Sequence, residues 1–132
     1  MNYIFDVDGT LTPSRMRIDK EFKEFFLEFI KKNNVYLATG SDYIKTVEQL
    51  GTEICESVTK CYNCCGNSVW KNGEEIFRSD WTLSDELDKW LKKELKKSKF
   101  DIRTGNHIEQ RPGLVNFSIV GRNASFEERF IY

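Results

Sequence analysis

No stretch of this sequence approaches the ~20 consecutive apolar residues that a membrane-spanning helix requires. Asp6 and Asp8 also interrupt the region where a secretion signal would need an unbroken apolar segment. A cytoplasmic location is therefore expected, with no membrane partner. Net charge is equally scarce: twenty basic against twenty-one acidic side chains leave −1. No global field then favours nucleic acid or an anionic surface, and any anion site must be local. Histidine occurs once, at His107, far along the chain from Cys61, Cys64 and Cys65, and those cysteines lack a second ligand pair, so a zinc site is not expected. Without a secretion signal, Cys55, Cys61, Cys64 and Cys65 read as reduced, buried thiols, and the sequons at Asn116 and Asn123 read as unused. Internal repeats and low-complexity segments are absent too.

What remains suits a packed α/β protein. The 132 residues are 39% hydrophobic and 31% charged, with ten Phe, five Tyr and three Trp, and a chain of this length buries roughly two thirds of its unfolded surface. Tyr3 to Val7 is a short apolar run that reads as a buried strand ending in a tight loop at Asp8-Gly9-Thr10. From Asp19, a suitable N-cap, Phe22, Phe25, Phe26, Phe29 and Ile30 recur at helical spacing as far as Asn33. A second strand over 35–38 leads to Thr39-Gly40-Ser41-Asp42, where Ser41 or Asp42 can cap a helix that runs to Leu50 and stops at Gly51. A third strand is expected near 58–64, followed by a hairpin over 69–77 turning at Asn72-Gly73. This order, βαβαβ, predicts a parallel sheet.

The pattern changes near 78–82, so that 1–80 and 81–132 read as separate parts. Ser84 caps a helix carrying Leu87, Trp90, Leu91 and Leu95 on one face, and two strands over 102–110 and 114–120 meet at Arg111-Pro112-Gly113. The Phe stripe, Trp81 and Trp90 read as core, and His107 as a packing or surface residue. Ser125-Phe126-Glu127-Glu128 is a capping box with only four residues after it, which predicts that the sequence stops inside an element.

The chemistry concentrates in Asp6-Val7-Asp8-Gly9-Thr10-Leu11-Thr12. Strand alternation sends Asp6 and Asp8 to one side, and the loop lets Gly9 and Thr10 present N–H groups to a phosphate. One carboxylate can attack phosphorus while the other protonates the leaving oxygen and later deprotonates the incoming nucleophile. Two carboxylates would repel a phosphate dianion unless a cation intervened, which implies Mg²⁺ at Asp6 and Asp8.

These residues resemble the first motif of the haloacid dehalogenase (HAD) superfamily, and Thr39-Gly40-Ser41 stands where its phosphate-holding second motif belongs. The stretches DVDGTLTPSR (6–15), EQLG (48–51) and IEQRPGLVNFSIVGRNASFEER (108–129) resemble the eukaryotic-type phosphomannomutases and their bacterial relatives with a type IIB cap. The resemblance implies a partial Rossmann-like parallel core over 1–80 and a partial α+β cap over 81–132. It implies Mg²⁺-dependent phosphoryl transfer on hexose phosphates through an aspartyl-phosphate at Asp6, with Asp8 as acid/base. It also places Arg15, Arg111, Arg122 and Arg129 on the substrate, the last three at intervals of 11 and 7 residues that match the family pattern. Three guanidiniums would hold the non-reacting phosphate of a sugar bisphosphate. Dimerisation through the cap follows by analogy.

In that superfamily a third-motif Lys and a fourth acidic motif lie beyond the cap, so the resemblance is to an N-terminal portion, and the sheet is expected to lack strands flanking the first. Thr39 stands where a Gly is expected in the mutases. The alternatives are a sugar-phosphate phosphatase using the same Asp6 and Asp8, and an inactive fragment that binds phosphosugar or another chain.

Overall fold

The computed structural model describes residues 1–132, which divide into two units, Met1–Ser79 and Asp80–Tyr132. In the first, β1 (Asn2–Phe5), β2 (Asn34–Ala38) and β3 (Lys60–Asn63) are parallel, and β4 (Ser68–Lys71) and β5 (Glu74–Arg78) continue the sheet antiparallel, in the order β1-β2-β3-β4-β5. β1 therefore pairs with β2 alone, in a register that sets Phe5 opposite Leu37.

Helix α1 (Lys20–Lys32) starts where its cap predicts, with the Asp19 carboxylate accepting from the Phe22 N–H at 3.0 Å. It lays Phe26 and Ile30 on the sheet, and Phe5 meets Phe26 edge to face at 5.4 Å. Of the two cap candidates for α2 (Tyr43–Leu50), Asp42 is the one used, accepting from Lys45 N at 2.8 Å. Val7, Leu37, Leu50, Ile54, Val35 and Val58 are sealed in the core, each at most 2% exposed.

Several expectations need correction. Gly51 ends α2, but at φ 86° it is also where the chain turns into a further helix, α3 (Thr52–Ser57), which buries Ile54 and Cys55. That helix was not expected, because a six-residue segment carries too few repeats for its period to show. The apolar stripe of α1 is wider than the face it buries: Phe25 is 64% exposed, whereas Phe26 is 2%. Cys65 is exposed, held at φ 56° in the 3₁₀ turn Cys64–Gly66, while Cys55, Cys61 and Cys64 are buried.

The hairpin turns at Asn72 (φ 49°) and Gly73 (φ 75°), the left-handed pair that a two-residue hairpin requires. In the second unit α4 (Asp85–Lys97) is capped by Ser84, β6 (Ile108–Arg111) pairs antiparallel with β7 (Leu114–Phe117), and α5 (Phe126–Ile131) follows a complete capping box at Ser125. These strands are shorter than expected and place Arg111 at the end of β6 rather than in the turn. Leu91 is buried, but Trp90 is 55% and Trp81 40% exposed, because two helices and a two-stranded ladder offer too little apolar surface to cover them. No helix is long and apolar enough to cross a membrane.

Candidate functional site

The sequence-predicted site residues fall into two groups, one in each unit. The first forms where β1 ends. Asp6 follows the last paired residue and is exposed, Val7 turns inward at 0% exposure, and Asp8 is half-buried, so the alternation that aims both carboxylates away from the core continues past the strand. The loop then closes on itself: the Val7 carbonyl accepts from Leu11 N at 3.0 Å and Thr12 N at 3.1 Å. Gly9 N donates to Thr12 O at 2.7 Å and Thr10 N to Val7 O at 3.3 Å. Those two N–H groups, expected to face a phosphate, serve the loop instead, and Gly9 contributes its φ of 76° to the turn.

Asp8 is held from two directions. Its Oδ1 accepts from the backbone N–H of Arg15 at 2.7 Å and from Gln49 Nε2 at 2.8 Å. The Arg15 bond accompanies a left-handed backbone (φ 62°) that a non-glycine residue adopts only at a cost. Gln49 is 3% exposed, and its Nε2 also lies 3.4 Å from Thr12 Oγ1 and from Met16 O. Its backbone carbonyl accepts from Ile18 N at 2.8 Å, while its Oε1 is buried without a hydrogen-bond partner. One side chain of α2 thus ties the Asp8 loop to the segment that leads into α1. In the sequence Gln49 stands out only as part of the EQLG stretch. A glutamine on a helix otherwise scanned for apolar period carries no separate signal.

Thr39, Gly40 and Ser41 leave the end of β2, the parallel neighbour of β1. Thr39 is 7% exposed, its N–H donates to Tyr62 O, its carbonyl accepts from Cys65 N, and its hydroxyl accepts from Ser41 N at 3.1 Å. The Ser41 carbonyl accepts from Cys64 N at 2.9 Å and from Nδ2 of Asn63, which is fully buried. Two adjacent parallel strands therefore deliver both loops at their carboxyl ends, the edge of an α/β sheet where ligands bind. Asp6 and Asp8 are hard oxygen donors of the kind Mg²⁺ shares with a phosphate, and a third His, Cys, Asp or Glu does not join them in a metal-binding cluster.

The second group centres on Glu109. It lies two residues before Arg111 in β6, hence on the same face of the ladder, and its carboxylate accepts from Arg111 Nη2 at 3.3 and 3.4 Å and from Arg122 Nε at 3.0 Å. Burial pushes the Glu109 carboxyl up, but Arg111 and Arg122 together outweigh that and hold it below the ordinary carboxylate range. Arg122 sits in the turn after β7, where its N–H donates to Asn106 O at 2.6 Å. Arg129, on α5, gives Nε to Ala124 O at 3.0 Å and Nη2 to Arg122 O at 2.7 Å, so it clasps the turn that carries Arg122. The structure thus links Arg111, Arg122 and Arg129 within one unit, through Glu109 and the turn.

Known proteins resemble this chain along most of its length. The family model for eukaryotic phosphomannomutase matches residues 22–132. The chain is 31% identical to the phosphomannomutase of Saccharomyces cerevisiae over 96% of its own length and 52% of that protein's. It is 33% identical to human phosphomannomutase 1, covering 96% of this chain and 51% of that one. It therefore spans about half the length of the curated relatives it matches. Among solved structures, the N-terminally truncated, IMP-bound IMP-nucleotidase of Plasmodium falciparum superposes with a TM-score of 0.56 at 13% identity, over 96% of this chain and 42% of that one. Such likeness shows the fold alone, a mixed α/β sheet with a parallel core. With the family model running from Phe22 to the last residue, and relatives aligned along nearly the whole sequence, the chain belongs to the eukaryotic phosphomannomutase family.

Proposed function

We propose that this chain carries the phosphoryl-accepting part of a phosphomannomutase-like phosphotransferase acting on hexose phosphates. An Asp6 oxygen attacks phosphorus, the bond from phosphorus to the sugar oxygen breaks, and Asp8 gives that oxygen its proton. When that phosphoryl group comes from a hexose bisphosphate, a hydroxyl of a hexose monophosphate then loses its proton to Asp8 and takes the group from Asp6, which regenerates the bisphosphate and leaves the isomeric monophosphate as product. The observation that carries this reading is the exposed Asp6 carboxylate at the end of β1, beside an Asp8 whose carboxylate two hydrogen bonds fix in place.

In this reading the Gly9-Thr10 loop, whose N–H groups close the loop itself, bounds the transferring phosphate beside Thr39, Gly40 and Ser41, and Arg15 reaches the substrate. Arg111, Arg122 and Arg129 hold the phosphate that does not react. Residues 1–80 serve as core and 81–132 as cap, with dimerisation through the cap. Mg²⁺, held by Asp6 and Asp8, would supply charge neutralisation for the approaching phosphate dianion.

The test follows mannose 6-phosphate and free phosphate formed from mannose 1-phosphate with Mg²⁺ and a trace of hexose 1,6-bisphosphate, beside Asp6→Asn. The mutase reading expects the 6-phosphate, lost in Asp6→Asn. Free phosphate alone would make the chain a phosphatase, and no turnover would sink the proposal that these residues suffice.

A further inference from the structure

Two arginines placed to bind one phosphate repel each other, and each loses rotamer freedom when its guanidinium is fixed. A site built from Arg111 at the end of β6 and Arg122 in the turn after β7 therefore needs something to draw both guanidiniums to one place. Glu109 stands there. Its carboxylate bridges Arg111 Nη2 and Arg122 Nε, with the three side chains 36, 15 and 26% exposed respectively. Arg122 meets it through Nε, which leaves the outer edge of that guanidinium for a ligand.

The turn is braced from behind as well. Arg129 grips the carbonyls of Arg122 and Ala124, while Glu128 accepts from Thr104 Oγ1 at 2.8 Å and from Ser125 N at 2.7 Å. A carboxylate that merely competed for the site would be displaced when a dianion arrived. One that uses Arg122 Nε, and meets Arg111 Nη2 from the same strand face, can stay while phosphate meets the outer edge of the Arg122 guanidinium.

We propose that Glu109 is a positioning residue for anion binding in this unit, orienting Arg111 and Arg122 toward a phosphate group. The inference rests on the reading of these arginines as a phosphate site and adds the residue that orders them. It makes a prediction opposite to simple electrostatics: Glu109→Gln raises the local charge by one, yet weakens phosphate binding.

The experiment titrates the full chain with inorganic phosphate by calorimetry at low salt, comparing Glu109→Gln and Arg122→Gln, with circular dichroism as the folding control. The expected result is a loss of about tenfold or more in Glu109→Gln, on the scale of one charge-assisted hydrogen bond. Equal or tighter binding overturns the proposal and makes Glu109 a competitor. If the unsubstituted chain binds no phosphate, or Arg122→Gln binds as well as it does, the phosphate site itself fails, and the proposal with it. Should Glu109→Gln unfold, the unsubstituted chain still decides. The Nε–H of Arg122 should exchange with solvent about tenfold more slowly than that of exposed Arg17, and equal rates overturn the positioning role.

Discussion

At the scale of single residues, the loop after β1 is held by a few polar contacts whose loss is measurable. Gln49 reaches Asp8, Thr12 and Met16 from inside the protein. Gln49→Leu removes a donor to a carboxylate and leaves Asp8 less restrained, so we expect destabilisation by about 1–3 kcal/mol in urea unfolding. In the proposed reaction it should also lower turnover more than substrate affinity, because Asp8 acts on a proton rather than on binding. Cys65 tests the structure in another way. It is exposed, whereas Cys55, Cys61 and Cys64 are buried, and a hydrogen bond with Cys55 together with burial pushes the Cys61 thiol up. A thiol reagent at neutral pH should label one cysteine in the native chain, identified as Cys65 by mass spectrometry, and all four in denaturant. Rapid labelling of Cys61 would contradict the packing of β3.

Secondary-structure elements explain why some signals were visible in advance and others were not. Asp19, Asp42, Ser84 and Ser125 each accept from the backbone N–H three residues on, so every expected helix start came with its own local chemistry. The ends of β6 and β7 differ from those expected because a periodic apolar run cannot show where ladder pairing stops. Backbone contacts continue beyond both strands, Thr104 N to Val120 O and Ser118 N to His107 O, without forming a regular ladder.

Gly121 marks that region. It lies at φ 104°, and a Cβ built there would meet the Thr104 backbone. Gly121→Ala should cost well over the ~1 kcal/mol of an ordinary Gly-to-Ala change at positive φ, since backbone must move as well. It should disturb the Arg122 turn, visible as shifted amide signals of Arg122 and Asn106. Gly73→Ala, whose new Cβ would meet the flexible Glu56 side chain, should cost nearer ~1 kcal/mol.

Across the whole molecule, charge sets the pH response. The carboxyls of Glu28, Glu48, Glu53, Glu75, Glu109, Glu127 and Glu128 all lie below their ordinary value of 4.5. A depressed folded-state value means that the stabilisation is present above 4.5 and is lost as pH falls through the folded values. The thermal midpoint should therefore be flat above about pH 5 and fall below about pH 4, less steeply in high salt, because most of these pairs are exposed. Apolar exposure sets association. Phe126, Phe130, Ile131 and Tyr132 are 64–84% exposed on or beside α5, and Ile4 on the edge strand β1 is 72% exposed. Sedimentation should show concentration-dependent self-association that Phe130→Glu reduces if the second unit carries it. If Ile4→Lys reduces it instead, the β1 edge does, as an edge with unpaired backbone groups would.

By itself the sequence determined the features that are local in chain order: the apolar strand leading into the Asp8-Gly9-Thr10 loop, the capped helices, the Asn72-Gly73 turn and the spacing of the three arginines. Each depends on residues within a few positions of one another, or on a pattern carried intact along the chain. Tertiary structure alone decided which side chains meet. It brought Gln49 to Asp8 across 41 residues and set Glu109 between Arg111 and Arg122. It also turned the Gly9 and Thr10 N–H groups into their own loop and left Phe25, Trp90 and Cys65 in solvent. The physical reason is that burial and hydrogen-bond pairing belong to distances in space. A residue type limits what a side chain can donate, accept or bury, and only the fold supplies the partner.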